Sequence, residues 1–218
     1  MHILSEACVL LTVFTLYWCC GERRRYLKRR IGPHAPFNVY QIARNLSFML
    51  TRNDLQVKDD TNILLRGGIL FSFHFGIWEL MPQTLKKLGF DLGVIVNKYS
   101  NNRDFFVAKL FDRLLYRFRS RGGVKVFYRD ETMKMVRFLK QGGVIGVLVD
   151  GNDFYSKFGK VRKLSRACHV PLVSFVAYRQ NGEGILKIGC NLERIVAERP
   201  YDYMWFYRSR SAHQHYRA

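Results

Sequence analysis

The chain has 218 residues, enough for one domain with a full core and too few for two of ordinary size. Hydrophobic residues make up 48% of it and aromatics 15%, a composition that excludes a disordered chain. Lys and Arg number 36 against 17 Asp and Glu, and a net charge of +19 calls for an anionic partner, which nucleic acid and an anionic membrane surface both satisfy.

Residues 7–20 read ACVLLTVFTLYWCC, with Thr as the only polar interruption. As a helix this run is about 21 Å long, short of the roughly 30 Å hydrocarbon core of a bilayer. Glu6 bounds it upstream and Glu22-Arg23-Arg24-Arg25 downstream. A secretory signal carries its positive charge before the apolar run, and here the charge follows. The expectation is an anchor that is half-inserted or lies at the interface, with Tyr17 and Trp18 at headgroup level and the basic cluster 23–30 on anionic lipid. A buried core helix is the alternative. This divides the chain into a membrane-associating segment, 1–31, and a folded domain, 32–218. The 5 cysteines (Cys8, Cys19, Cys20, Cys168 and Cys190) are odd in number and lack CxxC spacing, so neither a disulfide framework nor a zinc site is indicated. They read as reduced thiols of a protein facing the cytoplasm.

Gly32-Pro33-His34-Ala35-Pro36 ends any preceding helix. A helix is expected over 37–51 and a polar loop over 52–62. Strand-length apolar runs then occur at 69–73, 92–97, 124–128, 144–149, 171–178 and 186–190, most without period-2 alternation, as expected of strands buried on both faces. Helix-period segments lie near 77–88, 103–119, 131–140 and 161–168, and Gly142-Gly143 stops the third. Alternating strand and helix predicts an α/β domain with a mostly parallel sheet flanked by helices, whose working groups lie just beyond the carboxyl ends of strands.

His74 stands at such an end. The strand GGILFSF runs into His74-Phe75-Gly76-Ile77-Trp78-Glu79, and Glu79 opens the next helical segment. On one straight helix these two side chains would diverge, but a turn at Gly76 lets them fold toward each other. A histidine with a pKa of about 6.5 can take a hydroxyl proton near neutral pH, and a carboxylate on its other nitrogen fixes the tautomer. A lone histidine after a strand is more often a packing residue, and it is the position of this one, at a strand end and helix start, that favours chemistry.

The stretch FSFHFGIWEL resembles the H-x4-D/E signature of the lysophospholipid and lipid A biosynthesis acyltransferases, and its Phe, Gly and Trp resemble the lipid A branch. The likeness continues in order along the chain. Residues 91–102, DLGVIVNKYSNN, are similar to the family's second block, and 139–150, LKQGGVIGVLVD, to its third. Phe158-Gly159-Lys160 is similar to the Phe-Gly preceding a variable loop, and 203–210, YMWFYRSR, to the aromatic and basic block near the C-terminus. The resemblance implies a glycerolipid acyltransferase-like fold. It further implies attack of an acceptor hydroxyl on an acyl thioester, with no covalent enzyme intermediate, metal or other cofactor. His74 would be the general base and Glu79 its orienting carboxylate. Lys98 or Arg103 would contact an acceptor phosphate or the thioester oxyanion, and Asp150, Gly76 and Trp78 would help form the substrate site. The implied partners are an acyl carrier protein or acyl-CoA thioester as donor, a lipid or glycolipid acceptor and an anionic membrane surface, without nucleic acid. The implied location is the cytoplasmic face of the inner membrane.

The chain departs from the pattern in three places. Lys98 stands where an Arg is expected, the loop after Gly159-Lys160 is short, and so is the segment before His74. These departures leave open an enzyme acting on a lysophospholipid or glycerol phosphate, or a member that binds lipid without transferring acyl groups. A basic nucleic-acid-binding protein would explain the charge but not the apolar N-terminus, and no RNP, KH, helix-turn-helix or zinc-finger pattern is present. Arg113, Arg117, Arg119 and Arg121 form a further basic cluster, read as a patch for lipid phosphate or an acidic carrier or else as a solvated helix face. His213 and His215 have metal-pair spacing without a third ligand nearby.

Overall fold

The computed structural model describes residues 21–51, 54–96, 119–151 and 153–204, together with positions 8, 11, 12, 14, 15, 113, 116 and 117. A 7-stranded sheet forms its centre, in the order β1-β7-β6-β2-β5-β3-β4. The strands are β1 (Gln56–Asp59), β2 (Gly68–Ser72), β3 (Leu92–Val96), β4 (Lys125–Tyr128), β5 (Val144–Leu148), β6 (Leu172–Gln180) and β7 (Glu183–Ile188). The helices are α1 (Gly21–Ile31), α2 (Ala35–Thr51), α3 (Ile63–Arg66), α4 (Met81–Lys87), α5 (Thr132–Lys140), α6 (Phe158–Cys168) and α7 (Leu192–Glu198). Pairing is parallel from β6 to β4 and between β1 and β7, and antiparallel only between β6 and β7. The expected mostly parallel α/β sheet is therefore present.

The six expected strands all form, within a few residues of their expected bounds. The seventh, β1, runs through the segment expected to be a polar loop. The segment lacks an apolar pattern because β1 is an edge strand whose residues are exposed or half-buried in alternation, with Val57 paired to Leu186 of β7. Such an edge needs no apolar pattern, and Lys58 and Asp59 protect it against further pairing. Asn181 and Gly182 join β6 to β7 with φ of 51° and 82°, the two positive values that a type I′ hairpin turn requires. The Gly-Pro segment after α1 also behaves as expected: α1 stops at Ile31, a 3-10 turn covers Gly32–His34, and α2 begins at Ala35 with Pro36 in its first turn.

Both faces of the sheet are covered. Along β2 and just beyond it, Ile69 and Phe73 enter one apolar cluster with Phe138, Val147, Val161 and Leu192. Leu70 enters the other, with Leu80, Leu85, Leu92, Phe175 and Leu186. This two-sided burial is why β2 and β5 read as apolar runs and not as alternations. The connection from β2 passes over β5 to reach β3, and the connection from β5 passes over β2 to reach β6. Right-handed crossovers then place α4 and α6 on opposite faces, and a crevice opens beyond the carboxyl ends of β2 and β5.

The closing segment is tied down by a buried carboxylate. Asp202 is buried in a 3-10 turn, Pro200–Asp202. Its Oδ1 accepts from Gln41 Nε2 and Asn45 Nδ2, each at 2.8 Å, and its Oδ2 accepts from Arg199 Nε at 2.9 Å. Gln41 and Asn45 project from successive turns of α2, so this carboxylate fastens residues 200–204 to that helix.

Of the expected anchor at 7–20, positions 8, 11, 12, 14 and 15 are described and helical; Leu11 is exposed, and the Phe14 ring meets Tyr40 of α2 edge-on at 6.4 Å. Among the described residues no helix is long and apolar enough to cross a membrane. Replacing Asp202 with Ala removes the acceptor for three side chains, the buried amide of Asn45 and the half-buried Gln41 and Arg199. It is expected to lower stability by about 2–4 kcal/mol, with Asp202→Asn intermediate, measured as a shift in the urea midpoint at unchanged slope.

Candidate active site

His74 lies two residues beyond β2, and Asp150 lies two residues beyond β5, the neighbouring parallel strand. The ladder register pairs Ser72 with Leu148, and Val149 N–H donates to Ser72 C=O at 2.9 Å, so the two site residues leave the sheet side by side. Asp150 is wholly buried. Its Oδ2 accepts the His74 backbone N–H at 3.0 Å, and its Oδ1 lies 2.7 Å from His74 Nδ1. An ionised carboxylate can only accept, so Nδ1 carries the hydrogen and the neutral ring keeps its lone pair on Nε2. Burying a carboxylate costs several kcal/mol, and two bonds to the charged group, each contributing about 1.5–3 kcal/mol, offset part of that cost.

The residues after His74 are held from two other directions. Gly76 N–H donates to Asp202 C=O and Ile77 N–H to Ala177 C=O, each at 2.9 Å, while Met204 N–H donates to His74 C=O at 2.8 Å. Bridges pair Phe75 with Tyr203 and Gly76 with Ala177 of β6. The expected turn at Gly76 is present, with φ of 61°, and a Cβ there would stand 2.1 Å from Ala177 O, a separation no side chain tolerates. Gly76 thus shapes the site through its backbone. The His74 ring meets Trp78 edge-on, with centroids 5.4 Å apart. The Trp78 Nε1–H is buried and has no hydrogen-bond partner among the described residues.

The expected partnership of Glu79 with His74 is replaced by a different one. Glu79 sits in the 3-10 turn Trp78–Leu80, and both of its oxygens face Arg119. Arg119 Nε donates to Oε2 at 3.0 Å and Nη2 to Oε1, a bidentate ion pair with both side chains largely buried. The carboxylate on His74 Nδ1 is therefore that of Asp150, expected only to shape the site. The reason is local. The positive-φ turn at Gly76 and its bond to Asp202 direct the following 3-10 turn toward Arg119, while Asp150 leaves β5 directly beside His74.

One further cation went unnoticed in the sequence. Lys157, just before α6, is half-buried, and its backbone N–H donates to Val149 C=O at 2.8 Å. Its Cε lies 3.6 Å from where a Cβ on Gly151 would stand, so the side chain folds back over the residue following Asp150. Burial lowers its pKa, the Asp150 charge acts against that shift, and Arg129 adds to it. No motif marks Lys157. The only sequence signal is that it precedes the Phe-Gly pair. Lys98 and Arg103 lie outside the described residues, as do His213 and His215. Within the expected basic cluster Arg113, Arg117 and Arg121 are exposed, whereas Arg119 turns inward. Phe158-Gly159-Lys160, expected as a loop start, forms the first turn of α6. Among the described residues no group of three or more His, Cys, Asp and Glu is arranged to hold a metal ion.

A family model for bacterial lipid A biosynthesis acyltransferases matches residues 53–162. No curated protein matches the chain. The matched segment runs from just before β1 into α6 and contains His74, Glu79, Arg119, Asp150 and Lys157, so the family likeness and the histidine–carboxylate geometry fall on the same residues. The chain belongs to the bacterial lipid A biosynthesis acyltransferase family, and the activity that this family implies is that of an acyltransferase.

Proposed function

We propose that this enzyme transfers a fatty acyl group from a thioester donor, acyl carrier protein, to a hydroxyl of a lipid A-like glycolipid at the cytoplasmic face of the inner membrane. The observation that carries the reading is the His74 ring held at Nδ1 by the buried carboxylate of Asp150 at 2.7 Å. His74 Nε2 takes the proton of the acceptor hydroxyl as its oxygen attacks the thioester carbonyl. Asp150 stabilises the imidazolium so formed. Collapse of the tetrahedral intermediate breaks the carbon–sulfur bond, and the imidazolium returns the proton to the leaving thiolate, so no covalent enzyme intermediate is required. The half-buried ammonium of Lys157 and the guanidinium of Arg119, fixed by Glu79, supply positive charge for the oxyanion or an acceptor phosphate. Gly76 supports the site by letting the chain turn against β6, and Trp78 packs against the base.

A membrane surface as the source of the acceptor is supported by a second group of residues. Phe37 and Tyr40 of α2 are 60% and 46% exposed, and Arg24, Arg25, Lys28 and Arg29 of α1 are exposed nearby in the chain. Aromatic rings with flanking cations suit the headgroup region of an anionic bilayer.

In a reconstituted assay with acyl carrier protein thioester and lipid A precursors in anionic vesicles, His74→Ala is expected to lower transfer about 10²–10⁴-fold in a protein that still folds, with a lowered thermal midpoint because Asp150 loses its ring partner. Wild-type rates in this variant would remove His74 from the mechanism. Asp150→Asn and Glu79→Gln separate the two carboxylates. If Asp150 orients the base, its amide variant loses about 10²-fold or more in kcat, while Glu79→Gln acts mainly on KM through a loosened Arg119. The reverse order of kcat losses would return the orienting role to Glu79.

A further inference from the structure

Helices α5 and α6 lie side by side against the same apolar cluster. From α6, Val161, Ser165 and Cys168 are buried, while Lys160, Arg162, Lys163 and Arg166 are exposed. From α5, Met135, Phe138 and Leu139 are buried, while Arg137 and Lys140 are exposed. Neither helix contains an Asp or Glu. The nearest acid, Glu131, stands before α5 and pairs with Lys134. Among the described residues none of the other six cations forms an ion pair. Elsewhere Lys86 pairs with Asp91, Lys87 with Asp54 and Arg194 with Glu198, whereas the cations of α5 and α6 are gathered on two adjoining helices that contain no acid. Six cations on two adjoining helices without an acid of their own repel one another, an arrangement that an acidic partner relieves.

The position of this face relates it to the reaction. The chain passes from Asp150 through Lys157 directly into α6, so the amino end of α6 lies at the edge of the sheet where His74 stands. Lys160 is in its first turn, and the positive face extends from there away from the site. The face has little to insert into lipid, since its one exposed large apolar side chain is Met133, whereas the exposed aromatics Phe37 and Tyr40 belong to α2. A charged face without apolar anchors, beginning at the active-site edge, suits a soluble acidic protein better than a bilayer. We propose that the exposed face of α5 and α6 is the docking surface for the acidic carrier protein that presents the acyl thioester to His74. The inference rests on the acyl-transfer reading above and adds to it the surface on which the donor lands.

The test reverses the charge in two separate variants of the full-length protein. One is Lys160→Glu/Arg162→Glu/Lys163→Glu on α6, and the other is Arg137→Glu/Lys140→Glu on α5. Binding of holo acyl carrier protein without an acyl group is measured at low and high salt. KM is measured for acyl carrier protein thioester and, separately, for the matching acyl-pantetheine, which has no carrier surface. Carrier affinity is expected to fall about tenfold or more in each variant and to lose most of its salt dependence, with KM for the carrier-linked donor rising in step and transfer from acyl-pantetheine kept within about twofold. Carrier binding at the wild-type level in both folded variants would overturn the proposal. So would an equal loss with both donors, or a loss of binding to anionic vesicles with carrier affinity unchanged. A wild-type protein that binds the carrier through these helices yet transfers to no acceptor would support the docking surface while refuting the acyl-transfer reading.

Discussion

One buried carboxylate holds the candidate site together. Asp150 accepts both the backbone N–H and the ring Nδ1–H of the same residue, His74, so a single group sets the direction of the chain leaving β2 and the tautomer of the imidazole. The clamp exists because β2 and β5 are neighbours in parallel register, and their next residues emerge at one edge. An ionised group wholly out of water is tolerable only with such partners, and the same desolvation strengthens its hold on the ring. Lys157, folded over the following glycine and itself half-buried, supplies compensating charge from the same connection.

Around this clamp the fold supplies three further constraints on the His74 segment. Ala177 of β6 receives the Ile77 N–H, the backbone carbonyl of Asp202 receives that of Gly76, and Met204 donates to His74 itself. The side chain of Asp202 is bound in turn to α2. A chain from α2 through residues 202–204 to the residue before Ile77 therefore runs entirely in hydrogen bonds. The segment carrying His74, the proposed base, is fixed by elements distant in sequence, a preorganisation that suits general-base chemistry. The Glu79–Arg119 pair serves a separate end. It immobilises a guanidinium one short turn from the His74 segment and leaves the imidazole to Asp150.

The exposed basic residues fall into two groups of different chemistry. The exposed aromatics of α2 and the basic residues of α1 suit a lipid surface, whereas α5 and α6 present cations almost without apolar side chains. The net charge of +19 does not by itself discriminate among anionic partners, but these two groups of cations differ in their apolar surroundings.

The sequence by itself determined the α/β class, the six strands that follow β1 and the position of His74 at a strand end, because these depend on local periodicity and on turn residues such as Gly76 and Gly142-Gly143. The family blocks were equally legible, being runs of adjacent residues. Two features lay beyond such a reading. The edge strand β1 has no apolar pattern, since its residues are at most half-buried, and its place is set by pairing with β7. The choice of carboxylate for His74 was decided only by the tertiary structure. Glu79 is 5 positions from His74 in the chain and Asp150 is 76 away, yet strand order brings the distant one to Nδ1. Glu79 meanwhile finds Arg119 across 40 residues. Sequence spacing measures proximity along one segment, whereas the pairing of ionised groups follows burial and strand adjacency, which emerge only when the whole sheet has assembled.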